Sequence, residues 1–171
     1  SGCSTDLYAL LNIDTTQYFD DVARRLALDA ENMIILANPV LPHSEGEIVL
    51  ESADPDVHPA IRMNYFADPH DMKVMVAVLR RALDIVAHWP AERKPGPLMV
   101  PPLLAEKHGC RAGAAPSDEL LEDFALYFSI TVYHLSCTCR IGSVVDPRLR
   151  VAGVGRLRVA DASVRPNVVS G

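Results

Sequence analysis

The chain has 171 residues, 49% hydrophobic and 22% charged, with a net charge of −6. These values suit one ordinary globular domain, and the acidic balance argues against non-specific nucleic-acid binding. No apolar run approaches the roughly 18 residues of a membrane span, and no signal-peptide pattern opens the sequence.

The elements follow in chain order. Asp14-Thr15-Thr16 precedes Tyr18, Phe19, Val22, Leu26 and Leu28. Cap residues before apolar residues spaced by three and four predict a helix. Asn32 to Asn38 is an apolar, partly β-branched run stopped by Pro39, which reads as a buried strand. Turn residues follow from Pro42 to Gly46, and Glu47 to Ser52 alternates as a second strand. The two runs suggest an antiparallel pair joined by a loop, with Asp54-Pro55 as the next break. Ala60 to Phe66 alternates again, with Ile61, Met63 and Tyr65 on one face.

Asp68-Pro69-His70-Asp71 is a helix start, with Asp68 as cap and Pro69 at the first helical position. Met72, Met75, Val76, Leu79, Leu83 and Val86 continue it as an apolar stripe, more simply core filler than a cofactor box. Trp89 to Pro102 holds five Pro and one Gly and reads as a surface loop. Ser117-Asp118-Glu119 opens another helix through Phe128. Ile130 to Tyr133 is β-branched and leads into His134. The tail contains two apolar-basic alternations, Leu149-Arg150-Val151 and Leu157-Arg158-Val159, separated by Gly153 and Gly155. The order of elements is an α+β pattern around an antiparallel sheet.

Charge is unevenly spread. From Arg140 onward six Arg face only Asp146 and Asp161, a balance of +4 that leaves −10 for the remainder. Outward Arg on alternating strands accounts for this, and the alternative is a face turned toward an anionic partner. The four cysteines, Cys3, Cys110, Cys137 and Cys139, lack the spacing of a disulfide framework. Reduced thiols and a cytoplasmic setting are therefore expected. A thiolate metal site at His134, Cys137 and Cys139 is a minor alternative, because zinc sites usually pair two separated ligand sets, and no metal is expected.

His134 is the strongest catalytic candidate by position, since a neutral imidazole at a loop can take a proton near neutral pH. Most lone histidines are structural. No nucleophile elbow and no phosphate loop occur. Gly153-Val154-Gly155 is not a dinucleotide fingerprint, because position 158 is Arg and a strand-like segment follows.

The segment Tyr133-His134-Leu135-Ser136-Cys137-Thr138-Cys139-Arg140-Ile141-Gly142 resembles the active-site histidine motif of the glucose–methanol–choline flavoprotein oxidoreductases, Tyr-His-Pro-x-Gly-Thr-Cys-Arg-Met-Gly. Val144 to Val151, Gly153-Val154 and Leu157 to Pro166 are similar to that family's closing stretch in order and spacing. Upstream, Pro42 to Ser52 and Asn64 to Asp71 resemble its strand pair and the helix start after it, so the likeness runs roughly from 36 to 171. Leu135 replaces the common Pro, Cys137 the common Gly and Ile141 the common Met.

The resemblance implies an FAD-dependent oxidoreductase acting on CH–OH groups of an alcohol or choline-like substrate. It implies His134 as the base and Asp161 and Ala162 as cofactor-binding positions. It implies a substrate-binding portion over 1–143, and a segment over 144–171 whose strands join a separate FAD-binding domain. The fold expected is a mainly antiparallel sheet with helices packed on one face. The family's glycine fingerprint for the FAD pyrophosphate is absent, and its second catalytic His or Asn would follow Gly171. The chain therefore reads as a C-terminal fragment, a processed chain or one half of a split enzyme, partnered by an FAD-binding N-terminal segment or chain. The alternative is a non-catalytic partner-binding or folding module of the same family.

Overall fold

The computed structural model describes residues 34–111, 113–131 and 133–168. The helix expected over residues 14 to 28 lies outside them. The chain divides into two compact units. Among the described residues, one unit takes in 40–71 and 130–168, and the other 34–39 and 72–129.

The first unit holds a short antiparallel hairpin, β1 (Glu47–Val49) and β2 (Ala60–Arg62). Its register pairs Glu47 with Arg62, Ile48 with Ile61 and Val49 with Ala60. The Arg62 guanidinium meets the Glu47 carboxylate across the strands at 2.8 Å. The strand partner differs from the one expected, because residues 34–38 form no strand and Ile34, Ile35 and Leu36 are exposed. The reason is local. Asp54 accepts the Val57 N–H at its carbonyl (3.2 Å) and the Asp56 N–H at its carboxylate (3.0 Å), which turns the chain back on itself. Asp at a turn bonds the amides that follow it, and this turn delivers Ala60–Arg62 to the edge of β1. Gly46 enters β1 so close to β2 that a Cβ there would lie 2.3 Å from the Arg62 carbonyl oxygen.

The tail of this unit is a second, irregular hairpin. The two apolar-basic alternations pair with each other: Val151 N–H donates to Leu157 O at 3.0 Å and Val159 N–H to Leu149 O at 3.1 Å. Arg150 and Arg158 form an antiparallel bridge there. Leu149 and Arg156 have left-handed φ values of 62°, so the chain bends too often for long strands. Residues 130, 131 and 133 are likewise not a strand, and Tyr133 too is left-handed, with φ 63°. Met63, Thr131, Ser136, Cys137 and Val145 are buried in this unit.

Helix α1 (Pro69–Ala87) begins in the first unit and runs on into the second. Asp68 caps it as expected, its carboxylate accepting the His70 N–H at 2.8 Å. Met75 and Val76 of its apolar stripe are buried. The proline-rich stretch carries a 3-10 turn at Ala91–Arg93 and then a helix not foreseen, α2 (Pro102–His108). Pro102 sits in its first turn, and Gly109, with φ 58°, ends it in the left-handed conformation that glycine adopts without a Cβ penalty. Helix α3 (Asp118–Phe128) starts where Ser117 Oγ accepts the Leu120 N–H at 3.2 Å. Helix α2 packs on α3, burying Leu104, Leu120, Leu121 and Ala125. Leu121 is fully buried, which is worth about 1.5–3 kcal/mol relative to exposure. Asp123 joins the two helices by accepting from His108 Nε2 (2.6 Å) and from Lys107 Nζ. Those contacts, Lys107 first, hold its carboxyl below the usual carboxylate range. Arg80 on α1 donates to Asp118 Oδ1 (2.7 Å) and to Pro116 O (3.1 Å), fixing the approach to α3.

The fold is mixed α+β, but the sheet is minor: among the described residues it has two strands of three residues each. The apolar run at 34–38 and the alternations in the tail carry strand composition without forming a broad sheet among the described residues. Strand composition expresses fit to a half-buried pleated surface, and it yields a ladder only where neighbouring strands are present.

Candidate functional site

The site is built in the first unit from the loop 133–141 and the turn 161–164. His134 is exposed and makes no hydrogen bond with the described residues. Its flanks are constrained instead. Tyr133 before it and Cys137 after it both take left-handed backbone, with φ 63° and 76°. Cys137 stands where the family pattern has Gly, and the conformation gives that glycine its physical reason, since L residues other than Asn and Asp adopt it at a cost. The Cys137 side chain is buried, with Sγ 3.2 Å from the Ser136 hydroxyl.

Asp161 caps a short 3-10 turn, Ala162–Val164. Its carboxylate accepts the Ser163 N–H at 2.8 Å. Hydrogen bonds from the Ser163 side chain and then from its backbone hold the Asp161 carboxyl below the usual range. The carbonyls of this turn face the histidine loop. Ala162 O accepts from Cys137 N–H (3.4 Å), Ser163 O from Cys139 N–H (2.9 Å) and Val164 O from Ile141 N–H (2.9 Å). Two segments distant in sequence, each singled out for chemistry, are thus bonded side by side. Every second amide of one meets a successive carbonyl of the other.

Two carboxylates that the sequence offered only as local structure brace this region. Asp146 accepts the Arg148 and Arg150 N–H groups (2.8 and 2.9 Å) and Arg150 Nε (2.7 Å). The Arg150 backbone and then its guanidinium hold its carboxyl low, so Arg150 is paired within the tail. Asp71, in the first turn of α1, is buried and accepts the backbone N–H groups of His43 (2.7 Å) and Ser44 (2.8 Å). Burial alone would raise its pKa, but the Ser44 hydroxyl and the two amides outweigh it and hold the carboxyl below the usual range. Asp71 read in the sequence only as part of a helix start. The pairing of an acidic first turn with the Pro42–Gly46 turn residues was the available signal. Arg140 Nη2 contacts Glu45 Oε1 at 3.2 Å, joining the histidine motif to the strand that begins at Glu47.

No group of three or more His, Cys, Asp or Glu among the described residues is arranged to hold a metal ion, so the geometry lends no support to a thiolate site at His134, Cys137 and Cys139. No helix among the described residues is long and apolar enough to cross a membrane.

A family model described as GMC oxidoreductase matches residues 42–171. The chain is 35% identical over 164 residues to an alcohol dehydrogenase [acceptor] of Pseudomonas putida, covering 90% of this chain and 27% of that protein. It is 40% identical over 138 residues to a choline oxidase of Arthrobacter globiformis, covering 74% of this chain and 23% of that protein. A solved structure of the formate oxidase of Aspergillus oryzae superposes with a TM-score of 0.57 at 31% identity, covering 74% of this chain and 22% of that one. The chain thus spans about a quarter of the length of these relatives. The family match over residues 42–171, on the same stretch that carries the histidine motif and the Asp161 turn, establishes that this chain belongs to the GMC oxidoreductase family and corresponds to its C-terminal portion.

Proposed function

We propose that this chain supplies the substrate side of an FAD-dependent oxidoreductase acting on CH–OH groups, with His134 as the catalytic base. The observation that carries the reading is the bonded pairing of the histidine loop with the Asp161 turn. The loop that carries an exposed imidazole is bonded, from Cys137 onward, to a turn whose Ala162 N–H donates to none of the described residues. That donor suits a phosphate or hydroxyl oxygen, and a ring nitrogen free of partners suits a substrate hydroxyl, so the residues present fit one edge of a flavin site. Asp161 and Ala162 would hold the cofactor through their backbone. FAD, when bound, supplies the acceptor for the hydride that leaves the carbinol carbon. An imidazole nitrogen of His134 would take the hydroxyl proton of the alcohol, the O–H electron pair becoming the second bond of the carbonyl as the carbinol hydrogen leaves with its own pair. The rungs from Cys137, Cys139 and Ile141 to the Asp161 turn tie down the loop that carries the ring, which favours oriented transfer.

In this reading an FAD-binding N-terminal segment or chain completes the enzyme, residues 1–143 belong to the substrate-binding portion, and 144–171 joins the FAD-binding domain. The short hairpin would extend into a larger antiparallel sheet with helices on one face in that assembly. We further propose a cytoplasmic setting, on the argument that reduced thiols persist in reducing compartments; Cys110 and Cys139 are free thiols.

The test is anaerobic reduction of the flavin-loaded enzyme by choline, benzyl alcohol and 1-butanol, followed by loss of the oxidised flavin absorbance. His134→Ala is expected to slow reduction by about 10² to 10⁴-fold. Near-normal reduction in that variant, or no reduction of the wild type by any alcohol, overturns the reading. A non-catalytic module of the same family is the second reading. It is favoured by the exposed apolar side chains of the first unit, Leu50 at 79% exposure among them, which offer an association surface. Failure to take up FAD in the presence of a family FAD-binding segment would decide for it.

A further inference from the structure

We propose that the Asp161 carboxylate is a positioning residue for His134: it fixes the 3-10 turn that holds the histidine loop, and it does not itself bind cofactor. This rests on the reading of His134 as the base.

Three observations lead there. First, the carboxylate is already engaged: Oδ1 accepts the Ser163 N–H at 2.8 Å, while the Asp161 carbonyl accepts the Val164 N–H at 3.3 Å. The two bonds close the turn Ala162–Val164 from both sides of one residue. Second, that turn presents three consecutive carbonyls to the amides of Cys137, Cys139 and Ile141. Third, His134 has no side-chain hydrogen bond with the described residues, so the loop backbone is what places its Cα and Cβ. That backbone is strained, because Tyr133 and Cys137 are both left-handed at φ 63° and 76°. Left-handed backbone at such residues is costly and persists only where surrounding contacts enforce it. The rungs to 162, 163 and 164 are such contacts on the Cys137 side, and Asp161 shapes the surface that makes them.

The chain of dependence is therefore carboxylate, turn, ladder, loop, imidazole. A group acting in this way needs an acceptor oxygen at Asp161 but not its charge. Asn keeps the acceptor and Ala removes it, so the pair separates positioning from electrostatics.

The experiment compares Asp161→Ala and Asp161→Asn in the flavin-loaded enzyme by two readouts. The first is hydrogen exchange at the Cys139 and Ile141 amides. The second is flavin reduction across a concentration series of whichever alcohol reduces the wild type fastest. In Asp161→Ala, exchange at both amides is expected to accelerate by about tenfold or more as the turn opens. The limiting rate of reduction is expected to fall by roughly 10- to 100-fold, with the alcohol's dissociation constant within about twofold and flavin still bound. Asp161→Asn is expected to restore both. Unchanged exchange in Asp161→Ala overturns the proposal, as does faster exchange with an unchanged limiting rate. Loss of flavin from Ala and Asn variants alike assigns the carboxylate to cofactor binding and overturns it as well. Should His134→Ala reduce normally, the functional reading fails by itself, whereas the exchange arm still reports whether Asp161 holds the loop.

Discussion

Cys139 donates its backbone N–H to the carbonyl oxygen of Ser163 at 2.9 Å. It is the middle of three rungs that bind the histidine loop to the Asp161 turn. Backbone rungs of this kind tolerate many side chains, so the arrangement survives the Leu135, Cys137 and Ile141 departures from the family pattern. What it does not tolerate is a change of backbone conformation, and that is where the sharpest consequences lie.

Cys137 is the first. Its φ of 76° favours glycine, while its buried thiol fills space beside Ser136. In Cys137→Gly the relief of strain and the loss of buried sulfur oppose each other, so stability is expected to stay within about 1 kcal/mol of wild type. Cys137→Val fills similar volume but adds a β-branch where left-handed backbone is most costly, and a loss of about 1–3 kcal/mol is expected. Urea midpoints of the two variants check this, and Val more stable than Gly would contradict it.

Asp71 gives a pH dependence with a defined sign. Its folded pKa is lowered, so it stabilises fully above its unfolded value near ~3.9, and the contribution is lost as pH falls through the folded value. Wild type is expected to lose more stability than Asp71→Asn between about pH 5 and pH 2, a range that brackets the unfolded value. At neutral pH Asp71→Ala leaves the His43 and Ser44 amides unpaired and is expected to cost about 1–3 kcal/mol. Denaturant titrations across that pH range measure both.

Gly46→Ala should be costly for a reason unrelated to φ. The added Cβ meets the Arg62 carbonyl oxygen at 2.3 Å and that of Met63 at 3.0 Å, and both are backbone atoms. The hairpin must open locally, and a loss of about 1–3 kcal/mol is expected. A thermal midpoint equal to that of wild type would show that β1 can shift freely.

Ser117→Ala removes the acceptor for the Leu120 N–H at the start of α3. A loss of about 1 kcal/mol is expected, with Ser117→Asp retaining most of it because Asp also caps and favours the helix N-terminus. Chemical denaturation of both variants tests the cap.

The parts readable in the sequence are those set by neighbours in the chain. Asp68 before Pro69 and Ser117 before Asp118 specified two helix starts, because a cap bonds amides two or three residues away. The spacing of His134, Cys139 and Arg140, with the Asp161 stretch behind it, was enough to identify the family portion. Helix α2 was hidden by its prolines, although its signal, Pro at the start and Gly109 at the end, was present.

Only the tertiary structure decided which strand joins β1, that the buried Asp71 braces the His43–Ser44 turn, and that Cys137 needs a glycine-like backbone. Each depends on groups far apart in the chain, or on a dihedral that composition does not encode. Strand pairing follows whichever partner a turn presents, and the Asp54 turn presents β2. A carboxylate's role follows from the amides that converge on it, and periodicity along the chain carries no record of convergence. For that reason the histidine motif and the Asp161 stretch could each be singled out in the sequence, while the bonds that join them could be seen only in three dimensions.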